Sequence, residues 1–345
     1  MRAVTLAPGQ ARSLELEEVE EPRREQGAVH VRTLAIGVCG TDRELIEGAY
    51  GEAPPGKGRL ILGHESLGRV IDAPKESGFT TGDVVVGIVR YPDPVPCVSC
   101  GLGEWDMCRN GRYTERGIKQ ADGFGAEHWR AEPGFLVKVD PRLGLGAVLL
   151  EPASVLAKAW EHIERIGLRS RWAPQTALVT GAGPVGLMAA LMGMQHGLEV
   201  HVLDHNDDGP KPQLARDLGA TYHTRFPPFE PDIVVECTGS PTVIAQAVAG
   251  SAPGSIVCLT GLGGAEYAAS FDVATLNQSM VLENRVVFGT VNANFRHYRA
   301  AAHALARADH GWLERVITRR IPLSLWREAY EKRSGDVKTV LVFED

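Results

Sequence analysis

Apolar and polar positions divide the chain into a strand-rich first part and a later part where strands alternate with helices. Residues 1–6, 28–37, 62–71 and 83–89 read as strands, rich in β-branched residues and bounded by Gly and Pro turns. A charged run, 15–26, separates the first two. Many short strands punctuated by turns predict a barrel-like β domain. The first sustained helical periodicity covers residues 153–166, just after Pro152. Beyond Pro174, runs at 177–179, 199–203, 232–237, 254–260 and 286–291 predict buried strands. Helices are expected at 185–196 and 242–249, the second opening on Pro241, which a first helical turn tolerates. This alternation predicts a doubly wound parallel sheet. From Arg296 a helix and two strand-like runs, 319–322 and 338–343, are expected to return to the first domain.

The centre of the second part is Gly181-Ala182-Gly183-Pro184-Val185-Gly186, set between an apolar strand and an apolar helix. Gly181 permits a tight turn, Gly183 lets backbone approach a pyrophosphate, and Gly186 lets helix and strand pack closely. The free N–H groups at the helix start, with Pro184 and Val185, suit a phosphate. Asp204 ends the next strand at the distance expected of a ribose-binding acid. A carboxylate there accepts bonds from ribose hydroxyls and repels a 2′-phosphate. No arginine lies in 205–209. NAD is therefore favoured, with NADP possible because His205 and Lys211 are near.

The 345 residues suggest two domains. A net charge of −7 gives no basic footprint for nucleic acid. No apolar run reaches the length of a bilayer span, and polar residues follow Met1–Val4 at once, so neither a membrane segment nor a signal peptide is expected. The expected location is the cytoplasm, where six cysteines serve as thiols or metal ligands rather than disulfides.

Three motifs carry candidate ligands: Cys39-Gly40-Thr41-Asp42, Gly63-His64-Glu65 and Glu151-Pro152-Ala153-Ser154. They are too far apart for a zinc finger, but mixed S, N and O donors suit a catalytic zinc with an open position. Taken singly, Cys39 reads as a small buried residue, His64 as a core histidine, and Glu65 and Glu151 as surface charges. With the glycine-rich unit, these motifs resemble the zinc-dependent medium-chain dehydrogenase/reductase family over nearly the whole chain. The resemblance implies an α/β fold: a GroES-like β-barrel catalytic domain, 1–155 and 296–345, around a Rossmann NAD(P)-binding domain, 156–295. It implies zinc on Cys39 and His64, with Glu65 and Glu151 as alternating or water-mediated ligands. Thr41 would bond the substrate hydroxyl and relay its proton, Glu65 would assist, and Asp42 would orient His64.

Cys97, Cys100 and Cys108 form a second cysteine lobe. Relatives with a structural zinc carry four cysteines there, and the first falls at Pro94, which cannot bind metal. Asp93 is the substitute oxygen ligand. A Cys₃Asp zinc, a weakened site and free thiols all remain open, with the first preferred. Cys237 and Cys258 read as packing residues.

The segments Thr114-Glu115-Arg116-Gly117-Ile118, Asp122-Gly123-Phe124 and 289–298 resemble the glucose dehydrogenase branch. That resemblance implies Glu115 and Glu151 on the sugar, Asn292 on the sugar or nicotinamide edge, and His297 near the cofactor pocket. A site built for hydroxyls needs such fixed polar partners. The expected activity is oxidation of an aldose, D-glucose first, at C1 to the aldonolactone. The rivals are a zinc alcohol or polyol dehydrogenase and a non-catalytic NAD-binding protein. Dimers or tetramers are implied by the resemblance.

Overall fold

The computed structural model describes residues 1–263 and 272–343. The chain divides into two compact units, Met1–Ser154 with Asn292–Asp345, and Val155–Val291.

The first unit is built on the long strand Val29–Val38. It pairs antiparallel with Glu65–Asp72 on one side and Lys338–Val342 on the other. The sheet continues through Val84–Gly87 to Leu136–Lys138, and through Lys338–Val342 to Ile317–Pro322. The strand His128–Ala131 also pairs with Val29–Val38. The expected strand at 62–71 is broken in two, Leu60–Ile61 and Glu65–Asp72. Gly63, at φ +92°, supplies the break that places His64 in a turn. Ile321, Trp326 and Leu341 join Val4, Val31 and Val70 in one apolar core, so the C-terminal segment completes the β unit.

The sheet also creates a buried charge pair. Gly37 lies opposite Glu65 in one register and opposite Val340 in the other. A Cβ on Gly37 would sit 2.0 Å from Glu65 Oε2 and 2.8 Å from Lys338 Cε. The missing side chain leaves room for an ion pair between Glu65 and Lys338, which are 2% and 1% exposed.

The second unit is a six-stranded parallel sheet. Its order is Thr221–His223, Glu199–Leu203, Thr176–Thr180, Ile233–Glu236, Ile256–Leu259, Val286–Gly289. That is the 3-2-1-4-5-6 arrangement of dinucleotide-binding sheets. Leu178, Leu203, Val234 and Val257 pack against Ala247 and Val248 of the helix Pro241–Ala249. The glutamate Glu236 is fully buried here, yet its carboxylate accepts bonds from Thr180 Oγ1 and from the N–H groups of Thr238 and Gly239.

The helix Leu150–Gly167 starts earlier than expected, with Pro152 inside its first turn, where no N–H is needed. Pro141–Gly167 matches a bilayer span in length and hydropathy alone. Of its apolar window, 78% is buried inside the protein, and Gly144 breaks the helical geometry.

Lys338→Met leaves Glu65 as an unpaired buried charge, and about 3–5 kcal/mol of stability should be lost. Chemical denaturation of the metal-free protein measures this, and Glu65→Gln combined with Lys338→Met should recover part of it. A single variant as stable as the parent would show that the pair carries no such weight.

Candidate zinc centre and nucleotide loop

Cys39 caps the helix Gly40–Ile46 from an extended conformation. Its N–H donates to Asp42 Oδ2 at 2.9 Å. Asp42 Oδ1 faces His64 Nδ1 at 3.4 Å, so this one buried carboxylate both closes the cap and orients the imidazole. The other ring nitrogen, Nε2, lies 3.0 Å from Cys39 Sγ. Donor atoms of Cys39, His64 and Glu65 lie within 4.8 Å of one another. A tetrahedral zinc holds a sulfur and a nitrogen roughly 3.5 Å apart, so a small opening of the pair would admit the ion. Glu151 is half-buried at the start of its helix, outside that group of three, and its carbonyl accepts from Ser154 Oγ.

The electrostatics favour a cation at this point. Burial disfavours a charged His64, but the Cys39 sulfur and Asp42 outweigh it and hold the imidazole pKa well above its usual value. Burial pushes the Glu151 carboxyl up to about 7, with Glu65 adding repulsion. Lys338 faces Glu65 Oε2 and Asp42 Oδ1 faces His64 Nδ1, so the imidazole turns its Nε2 to the Cys39 sulfur. A cysteine sulfur, an imidazole and carboxylates, with His64 and Glu65 buried, are a donor set that zinc satisfies.

The turn carrying His64 is backed by Gly123-Phe124-Gly125. Their N–H groups donate to the carbonyls of Ile61, Gly63 and Leu62 at 2.8 Å each. A Cβ on Gly123 would lie 2.4 Å from two of those oxygens, and one on Gly117 would lie 2.7 Å from Gly63 O. The motif noticed in the sequence therefore supports the histidine turn through its backbone.

Thr41 is half-buried and bonds Tyr50. Burial pushes the Tyr50 phenol up to about 12. The sequence offered no sign of Tyr50, nor of Lys338 behind Glu65.

Glu115 is no surface charge. Arg90 Nε and Nη2 donate to its Oε1 at 3.1 and 2.9 Å, and Asn292 Nδ2 donates to the same oxygen at 2.7 Å. Asn292 holds φ at +62°, a left-handed geometry that asparagine tolerates better than most residues. Its Oδ1 accepts from Ala293 N–H. His297, expected near the cofactor, is 0% exposed. It sits in a buried cap with Asn294, whose Nδ2 donates to Asp106 Oδ1 at 2.7 Å.

Cys97, Cys100 and Cys108 gather their sulfurs within 4.8 Å. Asp93 does not join them. Its buried carboxylate accepts from Val95 N–H at 2.8 Å, Asn110 Nδ2 at 2.7 Å and Arg112 Nε at 3.0 Å, so the expected Cys₃Asp site is corrected to three thiols without Asp93. Bonding from the Arg109 N–H draws the Cys97 thiol down to about 6, while burial drives Cys100 up to about 11.

In the second unit Gly181 adopts φ +90°. A Cβ on Gly186 would meet Gly181 O at 1.7 Å. The helix Pro184–Gln195 starts at Gly183 with Pro184 and Val185 in its first turn. Asp204 Oδ2 accepts from Ala182 N–H at 2.8 Å and from Lys211 Nζ at 3.1 Å, and Oδ1 accepts from Asn206 N–H. Burial would raise this carboxyl, but those hydrogen bonds and the Lys211 ammonium hold it below the usual value. His205 is highly exposed beside it. A cavity of about 530 Å³ opens here, lined by Asp204, His205, Thr224, Arg225 and Thr238. Arg225 is far from the glycine loop in sequence, so inspection of 205–209 missed it.

Relatives share this architecture. The family described as glucose dehydrogenase C-terminus matches residues 145–343, and the alcohol dehydrogenase GroES-like domain matches 25–141. Glucose 1-dehydrogenase of Methanocella arvoryzae is 39% identical, over 99% of each chain. Glucose 1-dehydrogenase of Thermoproteus tenax is 40% identical, again over 99% of each. Among solved structures, Haloferax mediterranei glucose dehydrogenase in complex with NADP, Zn and gluconolactone aligns with TM-score 0.91 and 31% identity over 100% of both chains. The chain belongs to the zinc-dependent medium-chain dehydrogenase/reductase family, in its glucose dehydrogenase branch.

Proposed function

We propose that this protein oxidises an aldose, D-glucose first, at C1 to the aldonolactone, with NAD(P) as hydride acceptor and zinc held by Cys39, His64, Glu65 and Glu151. The observation that carries the reading is the 3.0 Å approach of Cys39 Sγ to His64 Nε2, backed by Asp42. The gluconolactone, Zn and NADP of the Haloferax mediterranei enzyme supply the substrate class. Zinc contributes Lewis acidity, which eases loss of a hydroxyl proton near neutral pH. The nicotinamide contributes the hydride acceptor. The protein's own groups do the rest. The Thr41 hydroxyl would take up the C1 hydroxyl proton as it releases its own to solvent water, with Glu65 assisting. Arg90 and Asn292 hold Glu115 by Oε1, which leaves Oε2 to accept from sugar hydroxyls. Asn292 then acts as a positioning residue.

For the cofactor, the reading is dual use. Asp204 suits the ribose hydroxyls of NAD. Lys211 neutralises part of its charge, and Arg225 offers a guanidinium to the 2′-phosphate of NADP.

Cys39→Ser and His64→Ala should each lower kcat/KM for D-glucose by roughly a thousandfold or more and lose about one zinc per chain by elemental analysis. Full zinc and full turnover in both variants would rule the site out. Assayed on a panel, the enzyme should prefer D-glucose to sorbitol, threonine and ethanol, and the opposite order would favour a polyol or alcohol dehydrogenase. Arg225→Ala should raise KM for NADP about tenfold or more and leave KM for NAD nearly unchanged. Equal effects on both would remove Arg225 from phosphate recognition.

A pH dependence follows in the metal-free protein. The Glu151 carboxyl titrates at about 7 when folded, against 4.5 for an ordinary glutamate. The unfolded chain releases this proton first, so the contribution to stability falls as pH rises from 4.5 towards 7. Denaturation across that range should show a smaller fall in Glu151→Gln, and identical slopes would contradict it.

A further inference from the structure

Away from the zinc centre, two histidines far apart in sequence, His30 and His128, are brought together by strand pairing. Arg130 stands opposite His30 and His128 opposite Arg32 on the antiparallel pair. His30 and His128 are thus diagonal neighbours on one face. Their rings meet edge to face, with centroids 5.3 Å apart and planes at 82°. Glu21, in the segment preceding Val29–Val38, places Oε2 2.9 Å from His128 Nδ1. One donor atom from each of Glu21, His30 and His128 lies within 4.8 Å of the other two.

The cluster is held in place. Arg130 Nε donates to Pro22 O at 3.1 Å and its Nη1 to Gly27 O at 3.4 Å. These bonds tie the segment bearing Glu21 to the strand bearing His128. His30 Nε2 is buried without a hydrogen-bond partner, so a nitrogen at the cluster is left unsatisfied. Arg130 is the nearby cation that opposes metal binding, and Asp72 and Glu21 counter it at His30. A cleft of about 650 Å³ reaches Glu21 and His128; Glu17, Glu18 and Glu20 line it, with Arg23, Lys57, Arg59 and Arg116 as cations on the same walls.

We propose that Glu21, His30 and His128 bind a first-row divalent transition-metal cation, of which zinc is the first choice, at a site separate from the catalytic centre. Two imidazoles and a carboxylate are ligands these ions favour, and water completes the coordination. Donor atoms around a tetrahedral zinc stand roughly 3.4 Å apart, which the cluster reaches by small side-chain movement. The bound ion would clip the segment around Glu21 to the sheet, adding stability without taking part in turnover.

The test uses the full-length, zinc-loaded enzyme dialysed against micromolar Zn²⁺, with bound zinc counted by mass spectrometry. The unmodified protein should hold one more zinc than His128→Ala and His30→Ala. Glu21→Gln, which alters an exposed side chain and keeps the fold, should weaken that extra equivalent at least tenfold. Added zinc should raise the thermal midpoint of the parent and not of the variants, with kcat/KM for glucose the same in all. Cu²⁺ bound in place of zinc should show nitrogen hyperfine splitting from two imidazoles, lost in His128→Ala. Equal zinc counts and equal thermal shifts in the parent and all three variants would overturn the proposal and leave an ordinary His–Glu ion pair.

Discussion

Glu65 and Lys338 face each other inside the β unit, and the space they share exists because Gly37 has no side chain. Strand register creates this arrangement: Val29–Val38 carries Gly37 and pairs on either side with the strands bearing the two charges. A buried ion pair is a costly element, retained only where geometry compensates its desolvation. Here it fixes a carboxylate beside Cys39 and His64, and it ties the last strand of the chain to the centre formed by the first third. The proposed zinc site thus depends on the C-terminal segment as much as on its ligands.

The same economy of backbone recurs at the nucleotide loop. Gly186 lies so near Gly181 O that any side chain would push the helix from the strand, and the helix start would no longer present its N–H groups to a phosphate. Asp204 is oriented by Ala182 N–H from within the loop it serves. In both places a glycine permits a close approach beside a buried carboxylate, held by the Lys338 ammonium in the first and by a main-chain N–H in the second.

Legibility in the sequence followed the distance over which each feature is determined. The glycine loop, the cap motif from Cys39 to Asp42 and the Gly63-His64-Glu65 turn are local, and each could be read from residue type and spacing. The parallel sheet followed from alternating apolar runs. Lys338 and the meeting of His30 with His128 depend on which strands pair and in what register, while Tyr50 and Arg225 lie on loops whose course the tertiary fold decides, and no local pattern carries that information. Asp93 was misjudged for a related reason: its position beside the thiols in sequence says nothing of Asn110 and Arg112, which claim its oxygens. The strand Glu15–Glu18 escaped notice because three of its four residues are glutamates, a composition that an edge strand accepts. Its neighbour on the sheet, Arg2–Leu6, is the buried one.

The account stands on a metal ion shared by residues from separate parts of the β unit. X-ray diffraction from crystals of the enzyme as purified, with data on both sides of the zinc absorption edge, tests it most directly. An anomalous peak bonded to Cys39 Sγ and His64 Nε2, with a carboxylate of Glu65 or Glu151 within coordinating reach or bridged by water, is the predicted result. Crystals of fully active enzyme with no peak between those two atoms would contradict it.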